Sequence, residues 1–313
     1  MSRNPRTWSL ANLSGLLVLC CLSLAACSGA VVSLQYPTHP QAVPAVARLL
    51  SDDPTLVQEA RVEVGSLGEG ATPELLRRMK GASPEQKIRI LETATQIGAP
   101  AAAVGLIYDQ AAADPDVRVR QTVTVQAARA PKLQEVTAPA LRDLLSDRIP
   151  EVRAAALRSL GAFNNERLLS TAELSAFINQ PDPLLCATAV SVALSRDDPS
   201  LQPSLRRALP RLVSQLRNPK PTTRAAIVSA LGQYGTIASP TVPPLIAVAE
   251  RDPVPEVRMK AAIALRRIGT PQAQEVAAQT FREFSTSDNQ PLRSLAEGYL
   301  NPTGDSENTQ PTR

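Results

Sequence analysis

Histidine and tryptophan are nearly missing: 313 residues hold one of each, His39 and Trp8. Aromatic residues make up only 3% of the chain, and there are four cysteines, Cys20, Cys21, Cys27 and Cys186. Each shortage excludes a class of chemistry. A Ser–His–Asp triad needs a histidine held rigidly beside its nucleophile, and His39 lies between Pro37 and Pro40 with no evident scaffold. A zinc site needs several His or Cys ligands at workable spacing, and no such set exists. No Asp-rich loop of the calcium type occurs. The glycine-dense stretch Gly65-Ser66-Leu67-Gly68-Glu69-Gly70 fits neither a P-loop nor a dinucleotide loop. No catalytic residue, cofactor or metal ligand is therefore expected. The dearth of aromatics argues against base or sugar stacking. No segment alternates with period two, so no sheet is expected.

What is present begins with a leader pattern. Arg3 and Arg6 precede an apolar block from Leu13 to Ala26. Charged, then apolar, then small residues is the order of a secretory signal, and the block is shorter than the roughly 20 residues a spanning helix needs. Leu24-Ala25-Ala26-Cys27 resembles a bacterial lipobox, which implies cleavage after residue 26 and a lipid on Cys27. Cys20 and Cys21 lack the small residues before the cut. Loss of residues 1–26 removes two arginines and no acid, taking the net charge from +4 to +2. That balance carries no clustered basic stripe, so no nucleic-acid partner is expected. Cys186 would remain as a lone thiol, read as a small core hydrophobe without a disulfide partner. The resemblance further implies an extracytoplasmic protein anchored by lipid. Ser28 is not the aspartate associated with inner-membrane retention in many diderm bacteria, so outer-membrane sorting is expected, or the cell surface in a monoderm.

A period runs through the rest. Pro115-Asp116-Val117-Arg118, Pro150-Glu151-Val152-Arg153 and Pro255-Glu256-Val257-Arg258 are copies of one unit, with weaker copies at Pro54, Pro84, Pro183 and Pro221 and a possible eighth at Pro291. Six residues after the prolines stand Ala60, Ile90, Ala156, Ala189, Ile227 and Ala261; ten after stand Val64, Ala94, Val125, Leu160, Ala193, Leu231 and Leu265. Steps of four place these residues on one helical face. The prolines suit a first helical turn. Gly68, Gly98, Gly235 and Gly269 stand where a left-handed cap ends a helix. A second amphipathic helix precedes most copies, over 43–51, 73–80, 100–113, 134–146, 172–179, 203–217, 240–250 and 271–284. Turns such as Asp114-Pro115 and Asp252-Pro253 separate the paired helices.

The expected fold is all-α: a solenoid of seven to eight antiparallel helix pairs, each too small to fold alone and stabilised by stacking. Asp-Pro-x-Val-Arg followed by an Ala-rich helix ending in Leu-Gly resembles HEAT repeats, especially the short HEAT-like units of phycobilin lyases. Residues 153–161 are the closest match, and the resemblance covers about 43–300. Cys186 replaces the motif arginine in copy five. Four segments follow: a signal peptide at 1–26, a lipidated cysteine and tether at 27–42, the solenoid at 43–300, and a polar tail at 301–313 expected to be disordered.

Two sets of surface residues stand out. Arg118, Arg153, Arg224 and Arg258 recur at one offset and are read as a structural ladder to the acidic turns, with an anion-binding row as the alternative. The resemblance implies that the second helices line a concave face. There the candidate partner-binding residues are Arg89, Glu92, Gln96, Arg120, Thr124, Arg158, Ser191, Gln233, Lys260 and Arg267, with Thr188, Ser195 and Ser229 at the same offsets. The face is mixed in charge and poor in aromatics, which suits a protein or peptide. The expected function is a non-enzymatic, membrane-anchored envelope scaffold. The alternatives are an enzyme on a HEAT-like solenoid, lyase-like, and a spacer without a specific ligand.

Overall fold

The computed structural model describes residues 37–301. The leader, Cys27, most of the tether and residues 302–313 lie outside the described residues. The described chain is helical throughout and holds no strand. Eight hairpins follow one another: α1 (Ala42–Leu49) with α2 (Pro54–Leu67), α3 (Thr72–Met79) with α4 (Pro84–Ile97), α5 (Ala101–Ala112) with α6 (Val117–Arg129), and α7 (Gln134–Leu144) with α8 (Pro150–Ala162). Then come α9 (Thr171–Ile178) with α10 (Pro183–Arg196), α11 (Gln202–Ser214) with α12 (Pro221–Gln233), α13 (Val242–Arg251) with α14 (Pro255–Ile268), and α15 (Pro271–Ser285) with α16 (Gln290–Leu300). The chain divides into two compact units, the first ending at Ala140 and the second beginning at Leu141.

Local chemistry explains why the helices begin where they do. Asp53 and Asp182 cap α2 and α10 by accepting hydrogen bonds from N–H groups of the first turn. Ser83 with Gln86, and Ser170 with Glu173, form capping boxes at α4 and α9. A proline occupies the first helical turn of α2, α4, α8, α10, α12 and α14, where its missing N–H costs nothing. Gly98 and Gly269 end α4 and α14 with φ of 69° and 78°, a conformation open to residues without a Cβ. The first helix begins at Ala42, one residue before the sequence boundary. His39, assigned to the tether, donates its backbone N–H to the Gly70 carbonyl at 2.9 Å.

Within each unit the second helices of successive hairpins pack against one another: α2, α4 and α6 in the first unit, and α8, α10, α12 and α14 in the second. Ala60, Ile90, Ala156, Ala189, Ile227 and Ala261 are all buried, as the four-residue spacing predicts. Small side chains let the helices approach closely. A Cβ on Gly232 of α12 would lie 2.7 Å from the Ala264 Cα of α14.

The third copy departs from the proline count. Its helix starts at Val117, two residues after Pro115, rather than at the proline. The residues turned inward are therefore Val119, Val123 and Ala127, all fully buried, while Val125 is 45% exposed. Val125 was expected in the core; a two-residue slip on a 3.6-residue helix turns a side chain to the opposite face.

Candidate functional site

Before six of the eight described second helices, the residue that sets the register lies three positions ahead of the helix start. Ser51, Asp114, Asp147, Asn218, Asp252 and Ser287 each accept a hydrogen bond from the N–H two residues on. Their side chains thereby close the turn that aims the helix. Six residues later the chain places Arg120, Arg153, Arg224, Arg258 and Arg293. Arg120, Arg153, Arg224 and Arg293 each donate through Nη1 to the backbone carbonyl of that turn residue, at 2.8–3.0 Å. Arg153 also reaches Asp182 of the next turn at 2.6 Å, and Arg224 grips Asp252 at 2.7 and 2.8 Å. Arg258 instead bonds the Ala249 carbonyl and Glu283.

Three residues stand otherwise than their offset from Pro115 predicts. Arg120 is 5% exposed and turned inward to the Asp114 and Pro115 carbonyls, so it cannot present its charge to a partner. Thr124 is likewise buried, its hydroxyl donating to the Gln121 carbonyl. Arg118, placed in the ladder, is exposed and pairs with Asp116 and Glu85 on the surface. All three follow from the slip at Pro115.

At two ladder positions that lack an arginine, a neighbour reaches back. Val57 stands six residues after Ser51, and Arg89 of the following hairpin donates to the Ser51 carbonyl at 2.5 Å. Cys186 stands six residues after Gln180, and Arg211 of the following hairpin donates to the Gln180 carbonyl at 2.6 Å. Arg89 was a candidate for the partner face, but its guanidinium is engaged inside the stack. The Cys186 thiol is buried against the Ile178 carbonyl, and burial pushes its pKa up. Such a thiol is a poor nucleophile. Glu92 pairs with Arg61 at 2.9 Å, and Gln96 is exposed.

The ion pairs make the fold sensitive to acid. Burial pushes the Asp252 carboxyl up, but hydrogen bonds from Arg224 and the Val254 N–H bring it below the usual carboxylate range. Glu173 is held at about 2, chiefly by Arg142 and then by the Ser170 N–H, against burial. Both folded values lie below the unfolded ones of about 4. Their contribution is therefore complete above that pH and is lost as pH falls through the folded values. The urea midpoint is expected to drop between pH 5 and pH 2, with a shallower drop in Glu173→Gln. Parallel pH dependence in the variant would remove Glu173 from this account.

The second unit brings the remaining candidates together. A groove of about 650 Å³ is lined by α8, α10, α12 and α14. Arg158, Ser191, Gln233 and Lys260 all line it, together with Thr188, Ser195 and Ser229. Arg267 is exposed on α14 but is not part of the lining. Gly161, Ala225 and Ala226 supply small, apolar surface between the polar groups, with Ala154 and Ala187 buried beneath. Thr188 and Ser195 spend their hydroxyls on helix carbonyls four residues back. Among the described residues, Arg158, Ser191, Ser229, Gln233 and Lys260 make no side-chain hydrogen bond or ion pair. The alanines were missed in the sequence, although they recur four residues after Pro150, Pro183 and Pro221.

Among the described residues, no cluster of three or more His, Cys, Asp or Glu could hold a metal ion. No described helix is long and apolar enough to cross a membrane.

Residues 209–301 match the family model described as HEAT repeats, and residues 138–165 match the one described as HEAT repeat. The chain thus carries HEAT-like repeats. Among solved structures, human deoxyhypusine hydroxylase in complex with glycerol is similar at 17% identity and a TM-score of 0.36, over 87% of this chain and 97% of that one. No curated protein matches the chain.

Proposed function

We propose that this protein is a non-enzymatic scaffold, anchored outside the cytosol by a lipid on Cys27, that binds a protein or peptide partner in the groove of its second unit. One observation supports the binding role above the rest: Arg158, Ser191, Ser229, Gln233 and Lys260 converge on a single groove with no internal partner for their side chains. In the ladder, by contrast, the arginines are spent on carbonyls and carboxylates. Unspent donors over a floor of alanine and glycine offer hydrogen bonds at close approach. The lining contains no histidine, cysteine or aromatic residue, which favours contact over catalysis or ring stacking.

The anchor rests on Leu24-Ala25-Ala26-Cys27 and the apolar block before it. Each buried lipid methylene contributes about 0.8 kcal/mol, so two acyl chains give stable retention. Confinement raises the effective concentration of partners on the same membrane.

Each part has its own test. Fatty-acid labelling in cells is expected to mark the wild type and to vanish in Cys27→Ser; label kept by the variant would reject that anchor. Ser229→Trp should fill the groove while leaving helicity intact. A partner cross-linked to the wild type is expected to fall at least tenfold in that variant. Equal recovery would place the binding surface elsewhere, and turnover of a small substrate by the purified protein would reject the non-enzymatic reading.

A further inference from the structure

We infer that the groove takes an extended acidic segment of polypeptide, laid across α8, α10, α12 and α14 with its carboxylates at Arg158 and Lys260. This rests on the proposal that the groove is a protein-binding site, and it names the chemistry of the partner. The first ground is charge. Arg158 and Lys260 belong to the lining and are exposed, and neither meets a carboxylate of the described chain. The one acid in the lining, Glu151, stands in the first turn of α8. The positive end of the helix dipole offsets its charge there. The uncompensated field in the groove is therefore that of the two cations.

The second ground is length. Arg158 stands on the first of the four lining helices and Lys260 on the last. Packed helices lie about 8–10 Å apart, so three steps span about 24–30 Å. An extended chain advances about 3.3 Å per residue, and seven to nine residues cover that distance, roughly. The third ground lies between the ends. Ser191 on α10, and Ser229 and Gln233 on α12, can both donate and accept, which matches the alternating N–H and C=O groups of a peptide backbone. The alanines beside them let that backbone come close. A single-stranded nucleic acid would also seek cations, but it would find no ring in this lining on which to stack its bases.

The test uses the full chain in detergent and an array of nine-residue peptides with randomised interiors and Glu, Ala or Lys at both ends. Glu-ended peptides are expected to be retained at least tenfold above Lys-ended ones, with the preference fading as salt rises. Arg158→Glu with Lys260→Glu is expected to reverse the preference without moving the thermal midpoint, because neither side chain supports the fold. If Glu-ended and Ala-ended peptides bind alike and Ser229→Trp removes both, the acidic partner is rejected while peptide binding stands. If no peptide class is retained, both readings fall. Displacement of Glu-ended peptides by an equimolar thymidine oligonucleotide would overturn the polypeptide assignment.

Discussion

Arg224→Ala is expected to cost about 3–5 kcal/mol, the range for breaking a buried ion pair by removing one partner. The Arg224 and Asp252 side chains are 9% and 4% exposed. Two parallel hydrogen bonds join them, and the same guanidinium satisfies the Asn218 and Pro219 carbonyls. Truncation would strand the Asp252 carboxylate in the stack with no opposite charge. Removing both charges together, in Arg224→Met with Asp252→Asn, should recover at least half the loss, because no bare ion then remains and the side-chain oxygen still closes the turn to the Val254 N–H. Urea unfolding followed by helicity measures both variants. A loss below about 1 kcal/mol in the single variant would mean that water reaches Asp252 and screens it.

Gly232→Val is expected to cost about 2–3 kcal/mol by overpacking. The new Cβ would sit 2.7 Å from the Ala264 Cα and 2.8 Å from the Ala264 Cβ, closer than such atoms can approach. Ala264 has no flexible end to swing aside, so α12 and α14 would have to separate. Gly65 in α2 provides the control, because a Cβ there would meet nothing within 4 Å. Gly65→Ala is expected to stabilise by about 0.5–1 kcal/mol, since glycine inside a helix carries an entropic cost. Gly232→Ala should destabilise, because the clash outweighs the same gain. Thermal midpoints moving in the same direction for the two alanine variants would show that α12 and α14 are not in contact at this point.

The stack of hairpins was legible because each second helix repeats its apolar residues four apart behind a proline. Ala156, Ala189 and Ala261 are buried for that reason. The register of the third copy was not legible, because proline marks the start of a helix only loosely. The residue that fixes the start is the side chain closing the turn, and Asp114 plays that part ahead of Val117. Counting from Asp114 puts Arg120 in the ladder and Arg118 on the surface. In copies four to seven the proline and the helix start coincide, so the offsets that put Arg158, Ser191, Gln233 and Lys260 on one side of the second helices hold, and the four line one groove. The bonds that Arg89 and Arg211 make to another hairpin's turn were invisible to counting. Each answers a vacancy in another hairpin, and the sequence of one repeat holds no record of what its neighbour lacks.

That borrowing limits how freely the repeats could be recombined. A hairpin with its own turn-bonding arginine, such as the one containing Arg153, closes its turn without a neighbour's donor, although that arginine also pairs with Asp182 of the next hairpin. The hairpins containing Val57 and Cys186 are dependents, each sold short of a donor that its successor supplies. Excising the successor, or transplanting the dependent alone, would leave a carbonyl stranded at the seam. The workable modules in these stretches are therefore two hairpins long, and engineered junctions belong outside them.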